Sequence, residues 1–128
     1  VSKITDFKYL FQKSNISTED LKYIANWDVS NGKDFYGMFG GCYNLKSLKG
    51  LEKWNVSRGW DFSYMFRGCY NLKSLEELKK WDVSNGKEFI YMFAYCKLII
   101  SFKSLEKCKI MDNKIFYYYI SLLIKKFI

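Results

Sequence analysis

The stretch Trp54-Asn55-Val56-Ser57-Arg58-Gly59-Trp60-Asp61-Phe62-Ser63-Tyr64-Met65-Phe66-Arg67-Gly68-Cys69, running on through Leu72, Leu75 and Leu78 to Lys80, decides the fold. Its landmarks recur 27 residues away on either side. Trp27, Trp54 and Trp81 share that spacing, as do Phe35, Phe62 and Phe89, Met38, Met65 and Met92, and Cys42, Cys69 and Cys96. A fixed period of this size marks a chain of stacked coils, in which each repeat completes its neighbours' core. One coil alone buries too little apolar surface to offset the entropy of ordering it, so the coils must stack.

Within the quoted stretch, Trp54–Gly59 reads as a polar turn, with Ser57 placed to cap a helix. Phe62, Met65, Phe66 and Cys69 stand at i, i+3, i+4 and i+7, the apolar stripe of a short helix that Gly68 helps to end. Leu72, Leu75 and Leu78 then fall every third residue among Lys73, Ser74, Glu76, Glu77 and Lys79. This spacing resembles the strand side of a leucine-rich repeat. Phe35, Met38, Phe39 and Cys42 with Leu45, Leu48 and Leu51 repeat the pattern, as do Phe89, Met92, Phe93 and Cys96 with Ile99, Phe102 and Leu105. Phe7, Leu10, Phe11, Leu21 and Ile24 make a partial copy with one residue extra.

The expected fold is α/β: a short leucine-rich-repeat-like solenoid of 27-residue coils, each with one short helix and one short strand, the strands forming a small parallel sheet. Residues 1–26 form an N-terminal partial coil or cap, 27–107 three regular coils, and 108–128 a degenerate C-terminal coil or cap. Ile115, Phe116, Tyr119, Ile120, Leu123, Ile124 and Phe127 are too many apolar residues for a free end. They either seal the last coil as a helix or join two molecules as a homodimer. The apolar run Ile115–Ile128 is shorter than the ~20 residues of a membrane helix and is interrupted by Ser121, Lys125 and Lys126, so no membrane span is expected.

Trp81-Asp82-Val83-Ser84-Asn85, followed by Met92-Phe93 and Cys96, resembles the bacterial surface-protein repeat of the BspA type, within the leucine-rich-repeat superfamily. Trp27-Asp28-Val29-Ser30-Asn31 with Met38-Phe39 and Cys42 matches it too, and the quoted stretch is a close variant. The resemblance covers roughly residues 21–107. It implies a right-handed solenoid and, since those proteins lie mostly at the cell surface, adhesion and binding of host proteins. Gly32, Gly59 and Gly86 depart from the pattern, standing where an aliphatic residue is usual.

The chain is 49% hydrophobic and 20% aromatic, too rich in both for a disordered protein. Its net charge of +8 is uneven: +3 lies in residues 1–96 and +5 in residues 97–128. That distribution weakens the case for a long basic groove along the repeats. Carboxylates interleave with Lys46, Lys73, Lys53, Lys80 and Lys107, so direct nucleic-acid binding is the less favoured reading. Histidine is missing from the sequence, which removes Ser-His and Cys-His pairs and the commonest metal ligand. With no phosphate-binding glycine loop and no paired acids, the sequence argues against an enzyme and calls for no cofactor or metal. Cys42, Cys69 and Cys96 read as small buried side chains, although their recurrence also fits a metal or disulfide site.

Surface positions where one coil departs from its siblings are free to serve a partner. Trp60 replaces Lys33 and Lys87, Arg67 replaces Gly40 and Ala94, and Arg58 and Arg67 are the only arginines. On a helix, Trp60, Tyr64 and Arg67 share the face opposite the apolar stripe. The expected partner site is Arg58, Trp60, Tyr64, Arg67, Lys87 and Tyr91, in the residue types that dominate binding hot spots.

The expected role is that of a protein-binding module without catalytic activity. One setting is a small cytoplasmic inhibitor or adaptor, extending to an anti-defence protein of phage or mobile-element origin that blocks a nucleic-acid enzyme such as a CRISPR nuclease. The chain opens without a signal peptide, which suits this setting if Val1 follows a removed Met. The alternative is a fragment or miniature of a surface adhesin.

Overall fold

Each coil turns its corner at the Trp-Asp/Asn-Val-Ser sequence, where a short polar side chain folds back on the backbone two residues on. Asp28, Asn55 and Asp82 each accept the backbone N–H of the following serine, at 3.0, 3.0 and 2.9 Å. Ser57 does not cap a helix: its hydroxyl donates to Asn55 Oδ1 at 2.6 Å and tightens the corner. The computed structural model describes residues 3–99, 102–106 and 108–125. The expected contributions of Lys107, of Phe127 and of the Ile124 side chain lie outside what is described.

The α/β assignment is overturned on both sides of the coil. Where helices were expected, the chain makes pairs of abutting four-residue turns. In the second coil Met38 N–H bonds Phe35 O at 3.2 Å and Cys42 N–H bonds Phe39 O at 3.1 Å. The third residue of each turn has positive φ: Gly37 at 61° and Gly41 at 70°, Tyr64 at 58° and Gly68 at 74°, Tyr91 at 53° and Tyr95 at 61°. That backbone is the signature of a type II turn and cannot lie inside a helix. Two such turns with their ends inward place apolar residues at i, i+3, i+4 and i+7, the same pattern as a helix stripe.

The other expectation, a parallel sheet along Leu45–Leu51 and its copies, also fails. No strand occurs among the described residues; three isolated parallel bridges link Asp6, Asp34, Asp61 and Glu88. The leucine sides carry short 3-10 turns instead, at Glu19–Tyr23, Leu51–Lys53, Glu76–Lys80 and Lys103–Leu105. The reason is the period. A strand alternates every second residue, whereas a leucine every third residue suits the three-residue repeat of a 3-10 turn.

Most backbone bonds between coils run along the turn pairs, with Lys73 N–H to Lys46 O at 3.0 Å on the leucine side. Phe35, Gly37, Phe39 and Gly41 donate to Asp61, Ser63, Met65 and Arg67 at 2.7–2.9 Å. Phe62, Tyr64, Phe66 and Gly68 donate in the same way to Glu88, Ile90, Met92 and Ala94. Phe7, Tyr9, Phe11 and Lys13 donate to Asp34, Tyr36, Met38 and Gly40, so the extra residue of the first coil falls after Lys13.

Inside this ladder two columns of rings stack face to face. Phe7, Phe35, Phe62 and Phe89 lie 5.4–5.5 Å apart and within 10° of parallel. Phe11, Phe39, Phe66 and Phe93 form the second column, at 5.4–5.8 Å. The unusual glycines serve the first column. A Cβ on Gly32, Gly59 or Gly86 would come within 2.4 Å of the ring of Phe35, Phe62 or Phe89. Trp54 and Trp81 are buried and donate their indole N–H to Ile24 O and Leu51 O, at 3.0 and 2.8 Å.

The only α-helix among the described residues, α1 (Lys114–Lys125), closes the far end. Asn113 holds it in place. Its Oδ1 accepts the N–H groups of Ile115 and Phe116, while its Nδ2 donates to Val83 O at 2.7 Å and Gly86 O at 3.0 Å. Phe116 is buried and meets Phe89 and Phe93 edge-on, at interplanar angles of 79° and 86°, so one ring ends both columns. No helix among the described residues is long and apolar enough to cross a membrane.

Candidate partner-binding surface

Turns whose ends point inward must point their middle residues outward. Successive coils therefore present matched pairs of surface positions, and these carry the exposed Tyr9, Tyr91 and Tyr95. At the first turn Tyr9, Gly37, Tyr64 and Tyr91 are equivalent in the ladder, with Tyr36 beside Gly37. Tyr36 packs on Tyr9 at 5.3 Å and on Tyr64 at 5.0 Å, and Tyr64 packs on Tyr91 at 5.5 Å, so four rings make a continuous ridge. Burial, aided by a hydrogen bond with Tyr9, raises the pKa of Tyr36, which keeps its hydroxyl a donor.

The six residues anticipated from sequence separate into groups. Tyr64, Arg67 and Tyr91 come together: the Arg67 guanidinium lies 5.9 Å from the Tyr64 ring centre, and Tyr64 packs on Tyr91. Arg67 lies closer still to Tyr95, at 4.9 Å. Trp60 and Lys87 sit in the next row, joined by the Lys87 N–H to Trp60 O bond at 2.8 Å. Trp60 is 52% exposed, and no ring contact ties it to Arg67 among the described residues. Arg58 has a different role, bonding Asn31 Oδ1 in the preceding coil. Their nearness owes nothing to a helix face; it follows from the turn pairs.

Sequence reasoning missed Tyr9, Tyr36 and Tyr95, and missed what the glycines do. Outward positions of the second turn hold Gly40 and Gly41 in one coil and Arg67 and Gly68 in the next. Beyond them Tyr43 and Tyr70 stack in parallel at 5.0 Å, with the Lys97 ammonium 4.9 Å above Tyr70. The result is a trough of about 320 Å³ with a glycine floor, tyrosine walls and the cations Lys13 and Arg67 along it. The detectable signal was the fourfold spacing of Gly37 and Gly41, which a helix would disfavour and a turn pair welcomes.

The family model described as "Mycoplasma protein of unknown function, DUF285" matches residues 5–113. The chain belongs to the DUF285 family. No curated protein matches it, and no solved structure does. The matched span holds every coil and the whole tyrosine surface of this DUF285 protein. The leucine-rich-repeat part of the resemblance gains no support, since the leucine sides carry no strand among the described residues.

Cysteine chemistry in the DUF285 core is muted. Cys42, Cys69 and Cys96 are free and buried, and each thiol donates to a carbonyl of the preceding coil: Phe11 O, Phe39 O and Phe66 O, at 3.0, 3.2 and 3.0 Å. Burial pushes the Cys42 thiol up to about 11 and the Cys96 thiol up to about 12. It raises Cys69 as well, with Cys96 and Cys42 adding to the effect. A thiol so far from ionising is a packing group rather than a nucleophile or metal ligand.

Proposed function

We propose that this DUF285 chain is a non-enzymatic protein-binding module that occupies a partner's surface through the face carrying Trp60, Tyr64, Arg67, Lys87 and Tyr91. The observation that carries the reading is the Arg67 guanidinium over the rings of both Tyr64 and Tyr95, at 5.9 and 4.9 Å, beside a ridge whose Tyr9 and Tyr91 are exposed. A cation held by two rings has already lost much of its freedom, so less remains to be lost on binding. Trp, Tyr and Arg also carry most of the energy of typical interfaces.

Two settings fit. A cell-surface adhesin binding host proteins is supported by the resemblance of the Trp-Asp-Val-Ser coils to BspA-type repeats and by membership of a Mycoplasma family. A small inhibitor or adaptor, including one that blocks a nucleic-acid enzyme, is supported by the net charge of +8 alone. A signal peptide or lipoprotein cysteine encoded upstream would favour the first, and a start codon just before Val1 the second.

The test is capture of the partner from the native cell with the wild-type chain, then measurement of its affinity for the variant Trp60→Lys/Arg67→Ala. Both substitutions restore residue types found at sibling positions. Loss of two interface anchors should weaken binding about a hundredfold. Unchanged affinity with an unchanged melting temperature removes this face from the interface.

A further inference from the structure

We propose that the trough over Gly40, Gly41 and Gly68 docks an acidic, extended peptide segment of the partner. This rests on the protein-binding reading and says what the surface grips.

The argument begins with four equivalent backbone positions. Lys13, Gly41, Gly68 and Tyr95 are the third residues of the second turn in successive coils, with φ of 56°, 70°, 74° and 61°. Lys13 and Tyr95 show that this turn accepts a side chain. The consequence of glycine in the two inner coils is therefore the space it leaves. A Cβ on Gly68 would meet Gly41 Cα at 3.8 Å, an ordinary contact, so no crowding compels glycine there. Gly41, whose missing Cβ would meet Lys13 Cγ at 3.2 Å, and Gly68 form the trough floor between Lys13 and Tyr95. Lys13 and Tyr95 stand three steps of ~4.8 Å apart, so the glycine stretch between them has room for about three extended residues.

Charge selects the occupant. Lys13 and Arg67 line the trough, Lys97 stands beside its rim on Tyr70, and no carboxylate is among the described lining residues. The tyrosines decide between an acidic peptide and a nucleic-acid strand. A strand binds by stacking bases on open ring faces. Here several rings are already engaged: Tyr36 meets Tyr9 edge-on and Tyr64 at a tilt, Tyr43 stacks on Tyr70, and Arg67 lies over Tyr64 and Tyr95. The tyrosine hydroxyls and the cations beside them suit carboxylates and peptide amides.

The experiment uses the whole chain and three fluorescent probes at low salt: a short peptide alternating glutamate and alanine, its lysine–alanine counterpart, and oligothymidylate. The acidic peptide should bind saturably and the lysine peptide should not. Arg67→Ala, which leaves the trough open, should weaken binding about tenfold, the loss of one charge-assisted contact, and Gly68→Tyr, which fills it with the residue found in the last coil, should weaken binding at least as much. Melting temperatures confirm the fold of both variants. No binding of the acidic peptide, equal binding by Gly68→Tyr, or preferential binding of oligothymidylate each overturns the proposal. If Gly68→Tyr still captures the cellular partner while Trp60→Lys/Arg67→Ala does not, the trough fails and the broader protein-binding reading stands.

Discussion

Glycines of two kinds share this chain, and they should respond differently to the same substitution. Gly59→Ala places a methyl 2.3 Å from the Phe62 ring tip in a packed column, and should cost about 1–3 kcal/mol of overpacking. Gly68→Ala meets only ordinary contacts and should cost no more than the ~1–2 kcal/mol of a left-handed residue. Urea denaturation of the two variants measures the difference. The buried thiols make a second prediction. Below pH about 8.5, the ordinary thiol value, folded and unfolded chains both keep these protons. Above it the unfolded chain releases them while folded Cys42 and Cys96 hold on until about 11 and about 12. Stability is thus fully present below the unfolded value and lost as pH rises toward the folded ones. Melting temperature should fall more steeply over that alkaline range in the wild type than in a Cys42→Ala/Cys69→Ala/Cys96→Ala variant. At neutral pH a thiol reagent should reach the half-buried Cys108 before the other three.

At the scale of the element, α1 hangs on Asn113. Asn113→Ala removes the helix cap and both bonds to the Val83–Gly86 corner, and should cost about 1–2 kcal/mol. Amide exchange should quicken in α1 more than in the central coils. Phe116→Ala uncovers the end of both ring columns and should cost about 3–5 kcal/mol by denaturation. The sequence already held much of this element's role: the apolar residues of the tail mark a segment that must be covered, and Phe116 and Ile120 are buried. The coils were legible in their period and in the inward residues, but not in their backbone. Phe62, Met65, Phe66 and Cys69 point inward from a helix or from two abutting turns alike, and only the sign of φ at Tyr64 and Gly68 separates the two. Tyrosine at such a position gives no warning. The leucine side departs from the strand expectation for another reason: a strand alternates in twos, and a spacing of three suits a 3-10 turn. Half of the surface is hidden in the sequence for the first reason, because Tyr36 and Tyr95 flank the trough on turns and not on a helix.

Across the molecule, order is concentrated on the turn side. Amides of Phe35, Phe39, Phe62 and Phe66 reach backbone carbonyls of the next coil, whereas Lys46 N–H on the leucine side is held by the Thr18 hydroxyl at 2.8 Å. Hydrogen exchange should find the first group opening only with global unfolding and the Lys46 amide exchanging earlier. The two inner coils are also nearly interchangeable in register, and each brings one bare floor position to the trough. Tandem duplication of residues 54–80 in the gene would therefore lengthen the recognised segment by a fixed increment of ~4.8 Å without redesigning either end. Unequal crossing-over gives such a locus a ruler, and alleles that differ by whole copies would read partners of different lengths.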